Sequence, residues 1–138
     1  MTTPTGLVER YVAMWNDGDA DARSAAVHEL WAQDGAHILQ PPEGMLGEAK
    51  RIGFTNPVLE ARGYHALEAR VTRAHQEFVA SGEFRFRPRG HAAQIGDVIK
   101  FGWEMVPAAG GDAAATGLEF LLLDAQGRIR CDYQFIER

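Results

Sequence analysis

Between Val8 and Ile38 the sequence VERYVAMWNDGDADARSAAVHELWAQDGAHI spaces its apolar residues for two amphipathic helices, then hands the chain directly to a strand. Leu7, Tyr11 and Met14 recur at helical intervals, and Val8, Val12 and Trp15 widen that stripe. Thr3-Pro4 supplies a cap and a first-turn proline. Asp17-Gly18-Asp19 closes the helix, with Gly18 suited to a left-handed stop and Asp19 to capping the next helix. In that second helix Val27, Leu30 and Trp31 share a face, while Arg23 and His28 lie away from it. Asp34-Gly35 predicts a turn and Ala36 to Gln40 a short strand. Pro41-Pro42 ends the strand, since neither proline can donate to a sheet ladder. Helices with one apolar stripe each need a sheet face to cover, and the rest of the chain must supply it.

The segment from Glu43 to Gly63 is mixed, and reads as a loop carrying a short helix around Met45 to Ile52. It is either a cover over a pocket mouth or an ordinary surface connection. Tyr64 to Ala80 reads as one helix, with Leu67, Val71, Ala74 and Phe78 on its stripe. After Ser81-Gly82 the period falls to two. Phe84, Phe86 and Pro88 alternate with Glu83, Arg85, Arg87 and Arg89, the pattern of a half-buried strand. Val98 to Val106 is the next strand, and PAAGGD (Pro107 to Asp112) makes a hairpin turn. Thr116 to Leu123 and Arg128 to Ile136 follow, joined by a turn over Asp124 to Gly127. Helices first and strands last give a single α+β domain over residues 1–138.

The two final strands differ in how they spend their faces. Ile129, Cys131, Tyr133 and Phe135 make an apolar face, against Arg128, Arg130, Asp132 and Gln134. Thr116 to Leu123 is apolar on both sides, with Leu118, Phe120 and Leu122 on one and Leu121 and Leu123 on the other. An antiparallel strand of that kind needs cover on both sides. The helices can cover only one, so the other face predicts a homodimer.

A net charge of -5 lacks the basic field that a nucleic-acid surface requires. Cys131 is the lone cysteine, which points to a reducing compartment, here the cytoplasm. No apolar run approaches ~20 residues and no basic-then-apolar leader precedes Leu7, so neither a membrane span nor a signal peptide is expected. Nucleotide-binding glycine motifs, a GxSxG nucleophile and CxxC pairs are absent, so no cofactor is expected. His28, His37, His65, His75 and His91 are scattered, with no pair at i,i+4, so no metal site is expected.

The helix-helix-strand opening and the strand-turn-strand GLEFLLLDAQGRI resemble the nuclear transport factor 2-like superfamily. Within it they are similar to the SnoaL-like polyketide cyclase and ketosteroid isomerase branch. The resemblance implies a cone-shaped, curved, mainly antiparallel sheet with the N-terminal helices packed on its concave face, closing a small-molecule pocket. It implies a hydrophobic, partly oxygenated ligand and cofactor-free proton-transfer chemistry such as isomerisation, cyclisation or dehydration. The same fold also serves as a non-catalytic ligand-binding or dimerisation domain.

The resemblance places Glu119 where the isomerases carry an inward acid. In an apolar cavity its pKa would rise, making it a hydrogen-bond donor or a general acid or base; facing out, it would simply pair with an arginine. Tyr11 matches the helix-one tyrosine that donates to a developing enolate oxygen, although a buried core tyrosine fits the same stripe. The isomerases' general base is missing, because HILQPP offers only Leu39 or Gln40 there. His37 is the nearby titratable group, either a replacement base or a hydrogen-bonded structural residue. Trp15, Trp103, Leu121, Tyr133 and Phe135 would form the pocket walls. Asp132 with Arg130 is similar to the water-activating Arg/Asp pairs of limonene-epoxide-hydrolase-like relatives, but both lie opposite Tyr133, away from the expected wall.

Overall fold

The structure, a computed structural model, describes residues 3–41, 43–54 and 57–137. Helix α1 (Pro4–Asn16) starts as its sequence demands: the Thr3 side chain accepts from the Gly6 amide at 3.0 Å, and Pro4 sits in the first turn. Leu7, Val8, Tyr11, Val12 and Met14 are buried on its inner face. The helix ends differently from expectation. Asp17 turns extended at φ -72° and ψ 125°, and Gly18 takes no left-handed conformation. Asp19 caps α2 (Ala20–Leu30) by accepting from the Asp21 and Ala22 amides. Arg23, expected on the outer side of α2, is buried instead, and donates from Nη1 to the Asp17 carbonyl at 2.8 Å.

Strand β1 (Trp31–Leu39) begins directly after α2, so Trp31 is a strand residue and Asp34-Gly35 is no terminal turn. The pairing slips between Trp31 and Ala36, which accommodates the feature read from sequence as a turn. Gly35 is needed there, because a Cβ would lie 2.7 Å from the Ile129 carbonyl oxygen and 2.8 Å from the Trp31 ring. Helix α3 (Glu43–Arg51) follows, while Pro42 and Asn56 lie outside the described residues. The expected loop before Gly63 contains a further strand, β2 (Leu59–Arg62), whose residues pair with Ala36 to Leu39. Helix α4 (Tyr64–Ala74) runs into a wider π turn over His75–Val79, marked by the Ala80 amide reaching the His75 carbonyl at 2.8 Å.

Strands β3 (Phe84–Ile95), β4 (Val98–Pro107), β5 (Ala115–Leu123) and β6 (Ile129–Glu137) complete a six-stranded sheet among the described residues. Its order is β2-β1-β6-β5-β4-β3, and the β1–β6 contact is parallel where the other neighbours are antiparallel. This is the expected α+β architecture. The core joins Leu7, Val8 and Met14 of α1 to Val27, Leu67 and Val71 of the other helices and to Phe101, Leu121 and Ile129 of the sheet.

Cross-strand register decides which side chains face this core. Residues paired across a ladder share a face. Phe101 pairs with Glu119, Leu121 with Asp132, Glu119 with Gln134, and His37 with Asp132. Glu119, Leu121, Asp132 and His37 therefore lie under the helices. Tyr133 and Phe135 lie on the other side, which corrects the expectation that they line the pocket. They are 37% and 44% exposed, and the Phe135 ring meets Phe120 edge-on at 5.8 Å on that outer face.

Candidate functional site

A largely apolar cavity of about 700 Å³ lies between the helices and the inner sheet face. That size is typical of small-molecule sites. Tyr11 and Trp15 enter it from α1, His37 and Leu39 from β1, and Trp103 and Met105 from β4. Glu119 from β5, Gln134 from β6 and Arg70 from α4 complete its polar lining. Pro41, Glu43, Leu46 and Leu59 also contribute, so the segment before Gly63 forms part of the wall. Leu121 is fully buried in the core and is not part of the lining. Of the residues singled out from sequence, Tyr11, His37, Glu119, Trp15 and Trp103 surround the cavity, whereas Tyr133 and Phe135 do not.

Beneath this wall is a polar cluster with Asp132 at its centre. Asp132 is fully buried. Its Oδ2 accepts from the Tyr11 hydroxyl at 2.5 Å and lies 3.9 Å from His37 Nε2. Glu119, also buried, accepts from the Trp103 indole N–H through Oε1 at 3.0 Å. Gly117 makes that bond possible: a Cβ there would lie 2.1 Å from the Trp103 ring, so only glycine leaves room for the indole to reach Glu119.

The remaining oxygens, Glu119 Oε2 and Asp132 Oδ1, are buried with no donor from another residue. Two carboxylates cannot share such a place as anions; one proton between them satisfies both oxygens. Glu119 is the group that holds it. Burial pushes its pKa well above the usual carboxylate range, and the charge and hydrogen bond of Asp132 push it further. Tyr11 is raised in the same way, by burial first and then by Asp132 and Glu119, so it stays a hydrogen-bond donor. Its proton is committed to Asp132 in this state.

The proton on His37 can be placed from its partners. Arg70 Nη1 lies 3.0 Å from His37 Nδ1, and a guanidinium only donates, so Nδ1 is the unprotonated nitrogen. Nε2 then carries the hydrogen and donates to Gln134 Oε1 at 2.8 Å. Burial lowers the His37 pKa, partly opposed by Asp132, which keeps the ring neutral. A neutral ring with Nδ1 already covered is a donor to its surroundings rather than a ready base.

His37, Glu119 and Asp132 each offer an atom within 4.8 Å of the others, so three potential metal ligands do converge despite the scattered histidines. The proton on Nε2 removes His37 from that set, leaving two carboxylates where zinc sites use at least three protein ligands. The arrangement fits a shared proton better than a cation.

Sequence reading missed Asp132, Gln134, Arg70 and Gly117 as parts of this site. The one signal for the β6 pair was register: if Glu119 faces inward, so must the residues opposite it and its neighbour Leu121.

No protein-family profile and no curated protein sequence matches the chain. Solved structures match along nearly its whole length. A SnoaL-like protein of Agrobacterium tumefaciens, proposed to be an isomerase, superposes with a TM-score of 0.78 at 23% identity, covering 100% of both chains. A SnoaL-like protein of unknown function from Burkholderia thailandensis matches with a TM-score of 0.65 at 15% identity, over 98% of this chain and 94% of its own. A proposed polyketide cyclase of Sinorhizobium meliloti matches at 0.60 and 14% identity, over 97% of this chain and 100% of its own. At these identities the likeness is one of fold. The chain has the fold of the SnoaL-like and nuclear transport factor 2-like proteins.

Proposed function

We propose that this protein binds a hydrophobic, oxygen-bearing small molecule in the cavity and that Glu119 serves it as a proton donor. The observation that carries this reading is the position of Glu119, buried in the cavity lining with Asp132 behind it and one carboxylate oxygen of each without a hydrogen-bond partner. A protonated carboxyl in such a place donates a hydrogen bond to a carbonyl oxygen as enolate character develops, with the carbon proton passing to water in the cavity and the product carbon taking one back from it. When Glu119 turns its proton to the ligand, Asp132 loses that hydrogen bond and keeps the one from the Tyr11 hydroxyl, while His37 Nε2–H stays on Gln134. Cofactor-free isomerisation, cyclisation or dehydration all use such a donor, and the structural neighbours proposed to be an isomerase and a cyclase agree with that class. The isomerase route through a first-strand aspartate is not available, because Leu39 and Gln40 stand there.

Two accompanying readings belong with this one. The exposed outer face bearing Phe120, Tyr133 and Phe135 supports a homodimer formed through the sheet; a Phe135→Lys variant sedimenting like the wild type would refute it. No helix among the described residues is long and apolar enough to cross a membrane; with the unpaired thiol of Cys131, this supports a cytoplasmic site of action.

Mass spectrometry of molecules retained by the purified protein tests the function. An apolar, oxygenated compound should be found, and it should take up solvent deuterium at carbon in the presence of the wild type but not of Glu119→Gln. Equal exchange with both proteins would remove Glu119 from the chemistry. Retention without any exchange would favour the non-catalytic binding role.

A further inference from the structure

One end of the cavity offers hydrogen-bond donors whose acceptors are already spent. Gln134 Oε1 is occupied by His37 Nε2–H, and Gln40 Oε1 accepts from the Ile136 amide at 3.2 Å. These bonds fix both amide orientations, so each side chain keeps its NH2 unspent. Arg70 places a single nitrogen, Nη1, on His37 Nδ1 and on the His37 and Leu59 carbonyls. Its Nε and Nη2 have no protein partner among the described residues, and it makes no ion pair there. The other cation of the wall, Arg73, is paired with Glu77.

These three residues are neighbours. The His37 ring is bonded on one side to Arg70 and on the other to Gln134, and the Gln40 amide bonds the Gln134 carbonyl at 3.1 Å. All three line the cavity. At the inner end the protons of Tyr11 and Trp103 already go to Asp132 and Glu119, and the buried Trp15 Nε1 is a single neutral donor without a partner.

We propose that the ligand is a hydrophobic carboxylic acid bound as its carboxylate, with its head on Arg70, Gln134 and Gln40 and its apolar body along Trp15 and Trp103. This rests on the cavity being the ligand site. A carboxylate only accepts hydrogen bonds, and its two oxygens match the fork of a guanidinium. One negative charge also balances one half-buried cation. A neutral carbonyl would leave Arg70 with only the unbonded charge of Asp132 near it, and a doubly charged phosphate would overshoot.

Titration of the intact protein with 1-pyrenebutyrate and with its primary amide, followed by quenching of tryptophan fluorescence at pH 7.5, tests this. The acid should bind at least ten-fold more tightly than the amide. Arg70→Gln should bring the two within two-fold of each other. Because Arg70 also supports His37, a second variant is needed: Gln40→Glu, at an exposed side chain on the same end, should weaken the acid at least five-fold relative to the amide. Equal affinities in the wild type, or a preference for acid that survives both substitutions, would overturn the proposal while leaving the cavity reading intact. Failure of both compounds to bind the wild type would instead refute the cavity as the ligand site, and the carboxylate proposal with it.

Discussion

Replacing Glu119 by glutamine should make the protein more resistant to alkaline pH, and the effect follows from one proton. In the folded chain Glu119 is buried and its pKa is raised, first by desolvation and then by Asp132. The unfolded chain releases that proton near ~4.3. Above that value unfolding therefore liberates a proton, and stability falls as pH rises until the folded carboxyl itself ionises. The slope is about 1.4 kcal/mol per pH unit for one proton. His37 acts with the opposite sign: its folded pKa is lowered, so it destabilises the fold as pH drops below ~6.5. Between pH 7.5 and 9 His37 is neutral in both states and Tyr11 keeps its proton, and the difference between wild type and the glutamine variant isolates Glu119. The wild type should lose up to about 2 kcal/mol across that window.

Glutamine keeps the geometry of the protonated acid, with an oxygen for the Trp103 N–H and an NH2 for Asp132. Its stability should lack that proton's contribution and so fall less steeply over the same window. Urea denaturation at pH 7.5, 8, 8.5 and 9, with an unchanged m-value, measures the difference. A wild type and variant that run parallel with pH would refute the assignment of the shared proton to Glu119.

Tyr11→Phe removes the hydrogen bond to a buried, charged Asp132, and should cost about 1.5–3 kcal/mol by denaturant unfolding; a loss below ~0.5 kcal/mol would mean the bond contributes little. Gly117→Ala should push the Trp103 indole off Glu119, changing the near-ultraviolet circular dichroism of tryptophan and costing about 1–3 kcal/mol. An unaltered spectrum there would show that the Trp103–Glu119 bond does not depend on the glycine.

The helices and most strands were legible because their periods are strong. Leu7, Tyr11 and Met14 mark one helix face, and the alternation from Phe84 onward marks a strand, without any tertiary information. Trp31 and Arg23 were misplaced for a physical reason. A helix that feeds directly into a strand has no polar turn to mark its end, and the long Arg23 side chain can bury its stem while its guanidinium reaches a carbonyl. Strand β2 was hidden because four residues are too few to show a period.

The β6 faces were inverted because apolar residues are ordinarily assumed to face the core. Here the inner face carries Asp132 and Gln134, which the cavity and its hydrogen-bond partners satisfy, and the apolar face of Tyr133 and Phe135 is left outward. The register needed to correct this includes a shift between Leu122 and Leu123, which alternation counted from the Asp124–Gly127 turn does not reveal. Tyr11, His37 and Glu119 were found individually, but their roles depend on partners brought from α4 and β6. The donor-only chemistry of Arg70 places the His37 proton, and burial, reinforced by the facing Asp132, raises the Glu119 pKa.

The decisive measurement is carboxyl ¹³C NMR of the folded protein, labelled at its aspartate and glutamate side chains and titrated through pH 8. One glutamate signal should titrate well above the ordinary carboxylate range, vanish in Glu119→Gln, and move when a ligand fills the cavity. A spectrum in which every carboxyl titrates in the ordinary carboxylate range would contradict the shared proton and, with it, the role of Glu119 as donor to a bound ligand.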